Sequence, residues 1–278
     1  MHPGPSISAA DVSIALRSEH RQHGAAVSAV GRCRPGAGVG AWSMDFPHNG
    51  CRQRRIIAAI STRALEGNDG MDPKAHWERV YQTKLPTEVS WYRPHLEVSL
   101  QLIEEAAPNR DSHIIDVGAG ESTLVDDLQT CGYRNLAVLD ISSTALDGAK
   151  QRLGNRAIDV AWICGDVTKM ALPSQHYDVW HDRAVFHFLT NAADRAANVR
   201  LVARAVKPGG HVIVATFGPE GPTKCSGLDV LRYNSEALHD EFGSHFRLVK
   251  HLDERHQTPS GAIQQFTYCY CKISSEPS

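Results

Sequence analysis

The sequence lacks the features that mark several classes of protein. No apolar run in its 278 residues approaches the roughly 18 that a membrane span needs. The formal net charge of −2 indicates no polyanionic partner such as nucleic acid. The seven cysteines are scattered and form no CxxC pair, so neither a disulfide framework nor a metal site is predicted. Free thiols favour a reducing compartment, and we expect a cytoplasmic location.

The first 70 residues differ from the rest of the chain. They hold eight arginines and no lysine, and they show no sustained helical or strand period. A targeting peptide is one interpretation, but acidic residues occur throughout and no signal-peptide apolar region is present. Met71 is followed at once by a plausible helix start. We therefore predict that residues 1–70 are a disordered or dispensable extension and that residues 71–278 form one domain.

Strands and helices alternate regularly after Met71. Helices are predicted at 73–82, 94–107, 122–131, 143–153, 191–206 and 234–242, and strands at 112–117, 135–139, 159–163, 177–181, 211–217, 245–252 and 264–272. The alternation predicts an α/β fold: a doubly wound, mostly parallel seven-stranded sheet with helices on both faces and one antiparallel strand. Lys207 to Gly210 is expected to be a sharp turn. A ligand should bind beyond the carboxyl ends of the strands.

A glycine bend follows the first predicted strand. Gly118 and Gly120 open the next helix, and about 20 residues later a second strand ends in Asp140, which is placed to accept both hydroxyls of a ribose. A dinucleotide fingerprint would have a third glycine where Thr123 stands, and Asp116 would repel a pyrophosphate but attract an amino group. The cofactor that fits is S-adenosylmethionine. A nicotinamide oxidoreductase is therefore disfavoured.

Four blocks carry a resemblance to a known family: Ile115-Asp-Val-Gly-Ala-Gly120, Val138-Leu-Asp-Ile-Ser142, Cys164-Gly-Asp-Val167 and Val206-Lys-Pro-Gly-Gly210. With these blocks the chain resembles the class I, seven-stranded S-adenosylmethionine-dependent methyltransferases from about Trp77 to Lys272. More narrowly, it resembles small bacterial methyltransferases and the citrate synthase-lysine type. The resemblance implies methyl transfer to a small molecule or a protein side chain, since the N/D-P-P-Y/F motif of nucleic-acid amino methylation is missing. The alternative is a cofactor-binding protein without transferase activity.

The resemblance assigns the cofactor-binding residues. It implies that Asp116 attracts the methionine amino group, that the glycines let the backbone approach the cofactor, and that Asp140 binds the ribose. Three acidic residues also have a purely structural interpretation, as caps or turns within their own loops. The full predicted set for the cofactor is Asp116, Gly118, Ala119, Gly120, Asp140, Ile141, Gly165, Asp166, Val167 and His181.

Polar and aromatic residues near the same edge are candidates for the acceptor side. His181, Asp182 and Arg183 end the fourth strand and are the candidate catalytic residues, with a proton acceptor among them if one is needed; Asp182 and Arg183 could instead pair with each other or cap a helix. Arg232 is a candidate clamp for a substrate carboxylate or a partner in a surface salt bridge. An aromatic group before the first strand is either a lid or a hydrophobic collar: Trp77, Tyr81, Trp91 and Tyr92.

Overall fold

The computed structural model describes residues 72–275 of the chain. The predicted extension, residues 1–70, lies outside this range. The helices are α1 (Pro73–Thr83), α2 (Glu97–Ala106), α3 (Leu124–Thr130), α4 (Ser143–Leu153), α5 (Ala192–Ala205) and α6 (Ser235–Phe242). The strands are β1 (His113–Val117), β2 (Asn135–Asp140), β3 (Val160–Cys164), β4 (Tyr177–Arg183), β5 (Val206–Phe217), β6 (Lys224–Cys225), β7 (Leu228–Asp229), β8 (Phe246–Gln257) and β9 (Ile263–Ile273).

Seven of these strands form one sheet in the order β3-β2-β1-β4-β5-β9-β8. The first five pair in parallel, and β9 runs antiparallel to both of its neighbours. This arrangement confirms the predicted doubly wound sheet with one antiparallel strand. The strand order reverses between β1 and β4, and a crevice at such a switch point is where ligands bind in open α/β sheets.

Alternate residues along the strands supply two separate cores, one on each face of the sheet. Ile114 packs in the core that contains Leu102 of α2 and Leu128 of α3. Its neighbour Ile115 packs in the core that contains Val202 of α5. Because successive strand residues point to opposite faces, a strand buried on both faces needs apolar residues at both positions, which explains the two adjacent isoleucines of β1.

Several predicted boundaries differ from the structure; β8, for example, ends at Gln257 and not at residue 252. Helix α2 begins at Glu97 and not at Pro94, and the carbonyl groups of Arg93 and Pro94, before the helix, accept hydrogen bonds from the Thr123 hydroxyl group. The predicted turn at Lys207 to Gly210 is a bulge within β5, since the register with β4 shifts there. Gly209 has a φ of +75°, which suits glycine at a bulge. No helix within residues 72–275 is long and apolar enough to cross a membrane.

Candidate active site

A large cavity of about 650 Å³ opens at the carboxyl ends of the central strands. We call it the large cavity; its lining includes Gly118, Asp140, Ile141, Gly165, Asp166, Val167, Trp77, Tyr81, Trp91, Arg183 and Phe188. A small cavity of about 40 Å³ adjoins it and is lined by Asp116, Ala119, Tyr92, Arg93 and His181 among others. The two cavities share wall residues, Tyr81 and Arg183 included. Most of the predicted site residues therefore lie around one connected region.

Asp140 lies at the end of β2 and is buried. One carboxylate oxygen accepts from the Gly120 N–H at 2.8 Å and the other from the Ser142 N–H at 2.8 Å. Burial raises the pKa of this carboxyl group to about 6, although the two N–H groups oppose the rise. Ser142, not Asp140, caps α4. Since a carboxylate has about four acceptor positions, capacity for ribose hydroxyl groups remains on Asp140.

Asp116 uses one of its two carboxylate oxygens to pair with His181. Its Oδ1 atom lies 2.7 Å from Nδ1 of His181. Its Oδ2 atom is buried and has no hydrogen-bond partner among the described residues. An unpaired buried carboxylate oxygen is costly, so its position beside the small cavity favours an ammonium or amino group as its partner. This observation fits the methionine amino group of S-adenosylmethionine.

The Asp166 side chain forms a turn within its own loop, which is the structural alternative to a role in cofactor binding. Its Oδ1 atom accepts from the backbone N–H and the hydroxyl group of Thr168, and its Oδ2 atom lies 2.8 Å from Nζ of Lys169. Burial tends to raise the pKa of Asp166, but the hydrogen bonds from Lys169 and Thr168 lower it below its usual value. The residue also lines the large cavity. Its contact with an adenine amino group stays a prediction.

The glycine bend is covered by side chains. A Cβ atom on Gly118 would lie 1.7 Å from a methyl group of Val185, and one on Gly120 would lie 2.2 Å from the Tyr81 hydroxyl oxygen. Both glycines have positive φ, +61° and +54°. In this structure the bend needs glycine because protein side chains pack on it, a reason that the sequence did not indicate.

The three polar residues that end β4 point in alternate directions. His181 is buried between Asp116 and Ser99, with Nε2 2.9 Å from the Ser99 hydroxyl oxygen. Asp182 faces the other way and accepts from the Val185 and Phe186 N–H groups, so it caps the turn after the strand. Burial raises the pKa of Asp182 to about 7, although those N–H groups oppose the rise.

Arg183 lies on the same side of β4 as His181 and lines both cavities. Its Nε atom donates to the Tyr268 hydroxyl oxygen at 3.1 Å, its Nη2 atom is 3.4 Å from Glu254, and its guanidinium group lies over the Phe266 ring. Glu254 also accepts from Arg93 at 2.7 Å. The charge of Arg183 is thus offset by a carboxylate in a buried network.

Aromatic rings form one wall of the large cavity. The Trp77 ring centroid lies 5.1 Å from that of Phe188, 5.8 Å from that of Trp91 and 6.2 Å from that of Tyr81. Phe188 was not among the predicted site residues, although it follows the end of β4 by only five positions. Tyr92 lines the small cavity. The ring contacts bring together three of the four predicted aromatic residues, Trp77, Tyr81 and Trp91, and whether the group moves as a lid stays a prediction.

Arg232 lines neither the large cavity nor the small cavity. Its Nη1 atom donates to the carbonyl groups of Pro219 and Gly221, at 2.8 and 3.2 Å. These bonds brace the long segment after β5, in which β6 and β7 form a small hairpin turning at Ser226 and Gly227, both with positive φ. In this structure Arg232 therefore stabilises the conformation of the loop after β5.

The chain is similar in sequence to methyltransferases. Residues 115–214 match a family described as a methyltransferase domain. The eEF1A lysine and N-terminal methyltransferase of Danio rerio is 28% identical over 148 residues, which are 52% of this chain and 21% of that protein. The chain spans only about a fifth or less of the length of these first relatives. The human EEF1A lysine methyltransferase 2 is 22% identical over 219 residues, covering 70% of this chain and 85% of that protein.

Solved structures share the fold. One such structure is described as "Conversion of a Disulfide Bond into a Thioacetal Group during Echinomycin Biosynthesis". It superposes with a TM-score of 0.60 at 16% sequence identity, and the match covers 73% of this chain and 94% of that one. The N-methyltransferase NodS of Bradyrhizobium japonicum, in complex with S-adenosyl-L-homocysteine, gives 0.55 at 14% identity, covering 71% and 98%. The shared fold confirms the predicted fold. The match of residues 115–214 to a methyltransferase-domain family agrees with the predicted methyltransferase family and with S-adenosylmethionine as its cofactor.

Proposed function

We propose that this protein transfers the methyl group of S-adenosylmethionine to an amino group. The observation that carries the cofactor part is the pair of carboxylates at neighbouring strand ends: Asp140 on the large cavity, and Asp116 with its unpaired Oδ2 atom on the small one. The cofactor, when bound, supplies a methyl group that its sulfonium has already activated.

Different residues around the cavities would contact different parts of the cofactor. Asp140 would accept from the ribose hydroxyl groups, Ile141 would cover the adenine, and Asp166 with Val167 would contact the adenine edge. Asp116 would hold the methionine amino group beside the bend that contains Ala119. The single charge-assisted bonds of this kind contribute about 1.5–3 kcal/mol each.

An amine is the acceptor that the aromatic wall favours. The face of an aromatic ring attracts cations, and Trp77, Trp91 and Phe188 present such rings to the large cavity. Two carboxylates, Asp194 and Asp229, also line it. The names of the relatives describe lysine and N-terminal methyltransferases of eEF1A, which agrees with a protein amine as the acceptor.

We assign a positioning role, and not proton transfer, to the three polar residues that end β4. Asp182 caps a turn, His181 is held between two hydrogen-bond partners, and Arg183 is a donor. We therefore propose that the acceptor loses its proton to solvent and that the site holds it in line with the methyl group. Alignment of reacting groups can supply about 7–11 kcal/mol of a barrier in favourable cases.

Incubation with cell extract and S-adenosylmethionine tests the function. We expect protein amines or small molecules whose mass has increased by about 14 Da, the mass that one added methyl group contributes. These products should disappear when Asp140 is replaced by alanine. One observation favours a second function, a cofactor-binding protein without transferase activity: Val185 and Tyr81 cover the glycine bend. Calorimetric binding of S-adenosylmethionine without any methylated product would support that second function.

We propose a reducing, cytoplasmic location. The cysteines of the described residues are free thiols, and Sγ of Cys269 lies 3.3 Å from Sγ of Cys271 without a bond between them. Thiols persist where glutathione keeps them reduced. Fluorescence microscopy of a tagged full-length chain in its native host tests the location, and an extracellular or periplasmic signal would contradict it.

A further inference from the structure

A carboxylate on α1 binds the first turn of α4. Oε1 of Glu78 accepts from the N–H of Ser143 at 2.8 Å and from its hydroxyl group at 2.9 Å. Oε2 accepts from the Ser142 hydroxyl group at 2.9 Å and from the Thr144 N–H at 3.1 Å. A carboxylate at this place meets free N–H groups and the positive end of the helix dipole, both of which favour its charge.

The charge of Glu78 is strongly favoured by these partners. Burial tends to raise the pKa of its carboxyl group, but hydrogen bonds from Thr144 and Ser143 lower it to about 2. All four donors come from residues 142–144, which lie far from Glu78 in the sequence. The interaction is therefore tertiary, between α1, whose residues line the large cavity, and the start of α4.

Both ends of this interaction carry residues of the cavity. Trp77 and Tyr81 lie on α1 beside Glu78 and line the large cavity. At the other end, the N–H of Ser142 donates to Asp140. Glu78 is thus one hydrogen-bonded residue away from the carboxylate assigned to the ribose.

Helix α1 packs through few residues. It is 11 residues long; Val80 is its one buried residue within the described structure, and Trp77 is partly buried in ring contacts. Short helices are marginal in water and depend on packing against the rest of a protein. A set of hydrogen bonds to a charged group can therefore decide whether α1 stays docked.

We infer that Glu78 is a positioning residue, which latches α1 and its aromatic wall onto the turn that carries Asp140. When the latch is closed, the wall of the acceptor pocket and the cofactor turn are held in one arrangement. Binding of cofactor to the turn should then stabilise α1, and docking of α1 should stabilise the turn. The link to the acceptor rests on the proposed function, whereas the latch itself does not.

Hydrogen exchange of the full-length chain, measured by mass spectrometry, tests the latch. Glu78→Gln places an amide donor against groups that are all donors, so exchange in α1 should accelerate at least about tenfold while exchange in β1 and β4 stays unchanged. Glu88→Gln is the matched control: its carboxylate accepts from Leu85 N–H within the same segment and has no bond to α4, so α1 should keep the wild-type exchange. Equal exchange in the two variants would overturn the inference.

S-adenosylhomocysteine serves as the probe for the coupling. In the wild type it should slow exchange in α1 and in residues 140–146 together, and in Glu78→Gln it should slow exchange only in residues 140–146. Faster exchange throughout the sheet would mean a general structural role and would also overturn the inference. If Glu78→Gln does not fold, Ser143→Ala, which deletes one of the four bonds from the exposed side of α4, should accelerate α1 exchange by about twofold or more.

The two proposals fail in different ways. If S-adenosylhomocysteine does not bind the wild type, the proposed function fails, and the comparison of free Glu78→Gln with free Glu88→Gln still decides the latch. If the probe binds but α1 exchange is the same in all variants, the latch is wrong and the proposed function stands.

Discussion

Replacement of Asp140 by alanine should weaken cofactor binding more than any other single change at the strand ends. The residue is 4% exposed and lines the large cavity, and its carboxylate has acceptor positions beyond the two that the backbone N–H groups occupy. Alanine removes the charge and both acceptors without adding volume. The change also removes the acceptors of the Gly120 and Ser142 N–H groups, so binding and stability must be measured separately.

The expected magnitude follows from the number and type of bonds. Each charge-assisted hydrogen bond from a ribose hydroxyl group to the carboxylate contributes about 1.5–3 kcal/mol. Loss of one such bond corresponds to roughly a tenfold to 150-fold rise in Kd. We therefore expect at least about a tenfold loss of affinity for S-adenosylmethionine in Asp140→Ala.

Isothermal titration calorimetry measures the affinity, and thermal unfolding by circular dichroism confirms that the variant is folded at the titration temperature. Asp147→Asn is a suitable control, because that carboxylate lies on the exposed side of α4 and pairs only with Lys150 in the described structure. It should bind the cofactor like the wild type. If a folded Asp140→Ala variant bound with an unchanged Kd, the ribose assignment and the reasoning behind it would be refuted.

Three further predictions follow from the same contacts. Gly120→Ala should lower the free energy of unfolding by about 1–3 kcal/mol, measured by urea denaturation, because its Cβ would clash with the Tyr81 hydroxyl group and its φ is positive; an unchanged stability would contradict the packing. Burial raises the folded-state pKa of Asp182 to about 7, above its usual 3.8, so the folded state holds the proton more tightly than the unfolded state. The free energy of unfolding should therefore fall as pH rises from about 4 to about 7. Asp182→Asn should flatten that dependence, and a pH profile identical to that of the wild type would count against this prediction. A chain that begins at Met71 should match the full-length protein in melting temperature and cofactor affinity, and a large loss in either would refute the dispensability of residues 1–70.

Sequence reasoning could find the sheet and the cofactor residues because their signals are local. Strand β1 contains two adjacent isoleucines and a valine, and two glycines follow it closely, so both the buried strand and the bend are visible in a few residues. Asp140 is found because it ends the next such run. Each of these residues owes its place to its own strand, and the parallel order then brings the strand ends together.

The rest of the site depends on contacts between distant segments. Glu78 binds residues 142–144, and Arg183 binds Tyr268 and Glu254. No spacing in the sequence predicts either contact. The direction of Asp182 depends on the bend after β4, where Ala184 has a φ of +75°. Such a conformation in a residue other than glycine could not be predicted from composition.

A crystal structure of the wild-type protein with S-adenosylhomocysteine is the most direct test of the central claim, that carboxylates at neighbouring strand ends hold this cofactor. The account predicts that the ribose hydroxyl groups lie within hydrogen-bond distance of Asp140, that the amino group of the homocysteine part meets Oδ2 of Asp116, and that Val185 and Tyr81 move off the glycine bend. A structure with the bend still covered and the ligand bound elsewhere, or not bound, would contradict it.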